Sequence, residues 1–392
     1  MSLIWLDRDG RTHTPPAEWA GDMLAGHRDG AWTWRLLDAR TRHILSELPA
    51  AQTDDDGDPA TAGVLAAGSS LEMSVTAPTR WTGQMTWVGP LGDMPAWLDR
   101  LVQPVYTATL DDGSSVSWTF TPLLPATPRL TYQESGWVTA AVDLYDRTLI
   151  LRREELWWDM FRDAGTNPVQ YVVAVTGRVT GQRAVIPATT ATLRARTWFE
   201  IGTDRLTVAN QLLEGVGYYS LYADPEGTLR SGPYVEPMSR PVAWAFRDGA
   251  ASIYRPDFTL ERDEFHAANR VTLTSREDAD HPALRARAVN VDPRHPLSYP
   301  SRGNVWITRT ETGVDAVDQA TLDQHARRIL AEEMAPASTL ELEHAPVPLA
   351  ANDRVEFARD SHGLALTGVV RGMRVPCEPG ALWRTTVMEV TA

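Results

Sequence analysis

The chain has 392 residues, 43% hydrophobic and 22% charged, which is the make-up of a folded globular protein with room for two or three domains. Its formal net charge is −14 and all 37 basic residues are arginine, so it lacks the basic run with which nucleic-acid binders release counterions. A single cysteine, Cys377, excludes an intrachain disulfide and a cysteine-based zinc site, and is expected as a small buried hydrophobe.

The opening MSLIWLDRDGRTHTPP lacks the basic and apolar regions of a secretory signal, and no apolar run approaches the ~20 residues of a membrane span. Stable membrane insertion is therefore not expected, and folding in a cytoplasm is. A compact chain of this length would expose roughly 15,000 Å².

Residues 1–165 read as β-rich. Trp32 to Leu36 alternates, His43-Ile44-Leu45 follows, and Leu71, Met73 and Val75 alternate with polar partners, as Trp81, Gln84 and Trp87 do more loosely. Val105–Leu110, Asp111-Asp112-Gly113 and Ser114–Thr121 form a predicted hairpin, and Trp137–Leu144 a further strand. Eleven of the 15 tryptophans precede residue 160, enough large stiff side chains to fill a barrel or sandwich. The Pro-rich Thr121–Pro128 predicts a long connection, and Arg152–Asp163 a helix with Leu156, Met160 and Trp157 inward.

A composition shift at Gly165–Pro168 marks a boundary, and residues 166–240 predict a mixed α/β domain. Its centre is DRLTVANQLLEGVGYYSLYADPEGTLRSGPYVEP, residues 204–237. Leu206, Ala209, Leu212, Leu213 and Val216 recur at helical spacing, with Thr203 or Asp204 as cap and Gly215 and Gly217 as stops. The period then becomes 2, which puts Tyr219, Leu221 and Ala223 on one face of a strand and Tyr218, Ser220 and Tyr222 on the other. Asp224-Pro225-Glu226-Gly227 has the residue order of a type I turn, and Leu229–Val235 returns as the partner strand.

Residues 241–392 are again β-rich. Trp244–Phe246 and Asn269–Leu273 are strand signals, Asp292–Gly303 is a Pro-rich loop, and Asp315–Met334 is a helix lined by Leu322, Ala326, Ile329, Leu330 and Met334 and ended by Pro336. Thr339–Glu343, Arg354–Phe357, Leu364–Val370 and Leu382–Val390 complete a meander that suggests a second barrel or sandwich.

Catalytic signatures are missing from this pattern. Asp54–Asp58 lacks the ligand spacing of a calcium loop, which leaves a solvated turn. Glu154-Glu155 and Glu332-Glu333 sit side by side, and neighbours on a helix diverge by about 100°, so neither pair can flank one glycosidic bond. His325 lies beside the apolar face of its helix, a structural position, and Gly177-x-x-x-Gly181 fits a hairpin turn better than a phosphate loop. The amino-terminal tryptophans fit a core better than a sugar platform. No cofactor, metal or catalytic residue is expected.

Read together, these stretches resemble tail-hub proteins of tailed bacteriophages, the minor tail proteins of actinobacterial phages in particular. The likeness is carried by Leu206, Asn210, Leu212 and Leu213 of the short helix, Tyr219, the Asp224–Gly227 turn and the Pro233-Tyr234 pair. Further matches are Asp263–Val271 with Asn269, the helix around Leu322, Asn352-Asp353-Arg354-Val355 with Asn352 where a Gly is usual, and Pro379-Gly380-x-x-Trp383. Trp34–Asp38, Gly68–Leu71 and Val142–Asp146 fit the same pattern.

The resemblance implies a non-enzymatic structural subunit. Its fold would be mainly β, with two tube-like β-barrel domains, 1–165 and 241–392, flanking the mixed α/β region. It further implies a homotrimeric ring at the virion's tail tip, assembled in the host cytoplasm. Its neighbours would be the distal tail protein, tail tube, tape measure protein, and tail fibre or tip proteins, with phage DNA passing through without specific binding. The alternative is a carbohydrate-binding or cell-wall-cleaving surface protein that uses the Trp-rich half.

Overall fold

The computed structural model describes all residues except 1, 14–23, 25, 55–58, 251, 262–266, 278–280, 335–337 and 391–392. Most of the expected loop Asp54–Asp58, the start of the Asp263–Val271 motif and Pro336 therefore lie outside the described residues.

Ten strands come first: β1 (Ser2–Leu6), β2 (Thr12–His13), β3 (Arg28–Asp38), β4 (Ile44–Leu48), β5 (Gly63–Ser74), β6 (Trp81–Pro90), β7 (Arg100–Leu110), β8 (Ser115–Thr119), β9 (Leu123–Tyr132) and β10 (Trp137–Asp146). The middle of the chain holds α1 (Thr148–Arg152), β11 (Met160–Arg162), α2 (Pro168–Thr180), β12 (Thr197–Phe199), α3 (Arg205–Glu214), β13 (Tyr222–Ala223) and β14 (Leu229–Arg230). The remainder is β15 (Val242–Phe246), β16 (Tyr254–Glu261), β17 (Arg270–Ser275), β18 (Arg285–Val289), β19 (Thr308–Val314), α4 (Gln319–Met334), β20 (Thr339–His344), β21 (Arg354–Arg359), β22 (Leu364–Pro376) and β23 (Trp383–Glu389).

The two ends of the chain share one sheet. Sixteen strands run in the order β16-β20-β23-β22-β5-β6-β10-β9-β7-β8-β1-β2, with β3, β4, β15 and β21 paired alongside. The seam is β22 against β5, antiparallel from Gly372↔Ser74 to Pro376↔Ser70. The path stays open, with no closed barrel among the described residues.

One aromatic core crosses that seam. Trp383, from the last strand, is fully buried among Trp32, Tyr106, Trp118 and Phe120, with ring centroids 5.6–6.3 Å apart. Each such ring removes a large apolar area from water, so the chain ends are held by burial as well as by backbone pairing. The alternation at Trp32, Trp34 and Leu36 and at Leu71 and Met73 points into this core, and Cys377 is buried there as a free thiol.

Smaller cores lie beside it among the described residues, two of them built on helices. Leu206, Ala209, Leu212 and Leu213 of α3 pack with Val169, Val172 and Val175 of α2. Leu322, Ala326 and Ile329 of α4 pack on Val271 and Leu273, in the sheet β18-β17-β19. The surface totals 19516 Å², well above the roughly 15,000 Å² of a compact monomer.

Several expectations are corrected. Arg152–Asp163 is not a helix, because its backbone bonds are taken elsewhere: Glu154 O accepts from Arg205 N and Leu156 N donates to Thr203 O, both at 2.9 Å. Leu156 and Met160 are buried as expected, but Trp157 is 75% exposed. Thr121–Pro128 is mostly strand β9, where Pro125 faces Leu144 of β10. The other edge of β9 meets β7 only at Leu123↔Val102, and such an open edge tolerates a residue with no N–H. Gly177 lies inside α2 and Gly181 ends it at φ +74, so this pair is a helix and its cap, not a hairpin turn. The helix expected from Asp315 begins at Gln319, because Asp318 accepts the Thr321 amide at 2.7 Å and acts as the cap.

Candidate functional site

The segment from α3 to β15 is built as a wedge. Asp204 caps α3 by accepting the Thr207 amide at 2.9 Å, and Asn210 on the same helix accepts the Leu221 amide at 2.9 Å, which fixes where the chain leaves the helix. The strand expected over 218–223 is broken rather than continuous. Gly217, at φ +72, bends the chain; Tyr222-Ala223 pairs with Leu229-Arg230, and Tyr218 bridges Pro233 antiparallel further along. The buried side chains are consequently Tyr218, Leu221 and Ala223, whereas Tyr219 is only half-buried and lines a cavity.

The turn at Asp224–Gly227 follows the predicted order. Gly227 N donates to Asp224 O at 2.8 Å, Thr228 N donates to the Asp224 carboxylate at 2.7 Å, and Arg230 pairs with that carboxylate. Gly227 sits at φ +72, which favours glycine, and an added Cβ would meet Pro122, Arg147 and Arg42 at 3.2–3.4 Å, so these side chains would have to give way.

Three side chains from the amino-terminal block grip this turn by its carbonyls. Arg42 donates to Glu226 O at 2.7 Å, Gln103 to Pro225 O at 2.7 Å, and the buried Arg147 to Gly227 O at 2.6 Å. Burial, with Arg42 close by, pushes the Arg147 guanidinium down to about 10, still protonated at neutral pH.

The return segment is gripped from the carboxy-terminal block. Arg240 donates to Val235 O, to the Tyr219 hydroxyl and to Asn352 O, while Arg354 donates to Met238 O and Arg240 O at 2.9 and 3.2 Å. Asn352 occupies the left-handed region at φ 65, the conformation for which a Gly is usual in the resembling turn. Beside it, Asp353 accepts the Ala350 amide at 2.7 Å. Burial raises the Asp353 carboxyl above its ordinary value, partly offset by that hydrogen bond.

Between wedge and sheet lies a cavity of about 500 Å³, lined among others by Tyr219, Asp224 and Asp353. A neighbouring space of about 190 Å³ is bounded by Tyr234, whose ring lies 5.4 Å from that of Tyr219. Of the residues singled out from sequence, Tyr219, Asp224, Gly227, Tyr234 and Asp353 therefore meet at this joint. Leu206, Asn210, Leu212 and Leu213 support it from α3. Asn269 and Leu322 lie elsewhere. The Asn269 side chain, fully buried, donates to Val305 O and accepts from Ile307 N, and Leu322 fills the α4 core. Sequence reasoning missed Arg42, Gln103, Arg147 and Arg240, because an isolated polar residue in a strand or loop carries no spacing that marks its partner.

α4 is tied to the same joint. Glu214, the last residue of α3, lies 3.3 Å from His325 and 2.5 Å from Arg328. The His325 hydrogen bond, ahead of the Arg328 charge, holds the Glu214 carboxyl down to about 2. His325 is thus structural.

Of the adjacent acidic residues, the Glu333 carboxylate binds Arg309 at 2.5 Å, whereas Glu154 accepts from Arg205 N through its backbone carbonyl alone. Among the described residues no group of three or more His, Cys, Asp or Glu could hold a metal ion.

The sequence matches no protein-family profile and no curated protein. Solved structures share the fold over almost the whole chain. A tail protein from Neisseria meningitidis MC58 is 14% identical with a TM-score of 0.59, covering 92% of this chain and 97% of its own. The 43 kDa tail protein of prophage MuSo2 from Shewanella oneidensis is 11% identical with a TM-score of 0.58, covering 91% and 98%. An E. coli type VI secretion component, described as similar in structure to the T4 bacteriophage tail proteins gp27 and gp5, reaches 9% identity and a TM-score of 0.50 over 84% and 77%. This chain has the fold of phage tail proteins.

Proposed function

We propose that this protein is a structural hub subunit of a phage-type tail. Three copies would close a ring by heterologous contacts and join the tail tube and distal ring to fibres or a tip protein. The observation that carries this reading is the shared fold, which spans nearly the full length of two tail proteins of matching size.

Two further features support it. The exposed area exceeds that of a compact monomer, as expected of a subunit that buries surface on assembly. The net charge of −14 without lysine suits a lumen through which DNA passes unheld. In this reading 1–165 and 241–392 are the two barrel-like blocks facing the tube, 166–240 is the wedge between them, and three subunits present six blocks to a sixfold tube.

Native mass measurement of the purified or particle-bound protein tests the ring. Threefold stoichiometry is expected, and a stable monomer that never joins a tail would overturn the proposal.

A second reading, a carbohydrate-binding surface, is favoured by one exposed patch. The rings of Phe161 and Trp198 stack on the outer face of the β11–β12 ribbon, 5.8 Å apart, and Trp157 and Trp158 lie just before it. Glycan-array binding that disappears in Trp198→Ala would support this reading.

A further inference from the structure

The cavity at the joint has more positive charge than its own acids use. Arg80 stands where the 500 Å³ and 190 Å³ spaces meet, since it lines both, and Arg371 lines the smaller one. Among the described residues neither guanidinium has a hydrogen bond or an ion pair. Arg80 lies over the Tyr222 ring at 4.7 Å. That contact uses the face of the guanidinium plane and leaves its N–H edge directed sideways.

The surrounding carboxylates are occupied, with one exception. Asp146, whose charge acts on Arg80, accepts from Trp81 N, Thr148 N and the Thr148 hydroxyl. Asp224 is taken by Arg230, Glu214 by His325 and Arg328, and Asp353 by the Ala350 amide. Among the described residues lining the two spaces, Glu332, bounding the smaller one, is the carboxylate without such a partner. Arg240 adds a third positive charge, its hydrogen bonds going to carbonyls and a hydroxyl. The charges of Arg80 and Arg371 act on one another across this space, and like charges repel.

We propose that this cavity is an anion site for an organic phosphate: a phosphate group bound by Arg80 and Arg371 on a small apolar body. The double positive charge favours a dianion over a single carboxylate. The size of the cavity, and the walls formed by Phe120, Trp81 and Tyr219, leave room for an apolar body beyond the phosphate. A ligand there would touch the sheet, the wedge and the carboxy-terminal block together, and so would stiffen the joint.

The test is calorimetric titration of the full chain with phenyl phosphate and with inorganic phosphate, against sodium chloride at equal ionic strength. Saturable binding at one site is expected, at least tenfold tighter for phenyl phosphate, and weakened at least tenfold in Arg80→Gln but unchanged in the control Arg255→Gln. Inorganic phosphate binding as tightly as phenyl phosphate would remove the organic body from the proposal. No saturable binding, or equal binding in Arg80→Gln, would overturn it entirely. Line broadening of the phosphorus resonance of phenyl phosphate by the wild-type chain, reversed by excess sulfate, is also expected and needs no variant. A resonance the chain leaves sharp contradicts the site even if Arg80→Gln fails to fold. None of this depends on the ring proposal, which stands or falls by stoichiometry.

Discussion

Two joints hold this molecule together, and they are made differently. The seam between the chain ends is a regular ladder, β22 on β5, backed by rings: Trp383 sits among Trp32, Tyr106, Trp118 and Phe120. The wedge is closed by directed bonds from Arg42, Gln103, Arg147, Arg240 and Arg354 to backbone carbonyls. Burial is strong but indifferent to angle, whereas a charge-assisted hydrogen bond is worth less and fixes direction. The seam supplies stability, then, and the wedge sets how the middle segment sits on the sheet.

The contrast can be broken first at the seam. Trp383→Ala leaves a cavity in the shared core and should cost about 3–5 kcal/mol in denaturant unfolding, the largest single effect expected.

Next is acid. His344, fully buried beside Phe246, is bonded to Thr385 at 2.7 Å and Ala345 O at 2.8 Å, and burial holds its pKa down to about 4 from 6.5. The unfolded chain takes up this proton first, so the stability is complete above pH 6.5 and is lost as the pH falls toward 4. The loss is about 3 kcal/mol. Unfolding curves between pH 7 and 4 should show it, and His344→Gln should flatten the step.

At the wedge the effects are smaller and geometric. Gly227→Ala combines a positive φ with three close contacts and should cost roughly 1–3 kcal/mol, with loss of amide-exchange protection confined at first to 217–235. Smallest of all, Asn352→Gly should stay within about 0.5 kcal/mol of wild type by thermal unfolding, while Asn352→Val should lose roughly 1–2 kcal/mol. A Trp383→Ala variant with near wild-type stability, or a Gly227→Ala variant that unfolds the whole chain, would erase the distinction.

The sequence carried the local pattern well and the long-range pairing not at all. Alternation at Trp32-Trp34-Leu36 and helical spacing at Leu322-Ala326-Ile329 are properties of consecutive residues, and both match the buried faces. Nothing near Ser70–Ser74 marks Gly372–Pro376 as its partner, so two separate β regions were all that could be read. Arg152–Asp163 departs from its helical pattern for a related reason, because the bonds that prevent a helix come from Thr203 and Arg205, some fifty positions downstream.

At the candidate site the turn residues Asp224 and Gly227 were legible, since turn chemistry is local. The arginines that hold the turn were not, because one arginine in a strand reads like any solvated charge.

The β5–β22 pairing has a consequence for biosynthesis. Strand β5 is complete when Ser74 has been made, yet the strand that covers its free edge ends at Pro376, about three hundred residues later. During translation that edge offers unpaired backbone groups to any other nascent chain. Such distant closure is also intrinsically slow. Closing that edge must therefore wait until β22 has been made, and crowding of unfinished copies is the step at which yield would be lost.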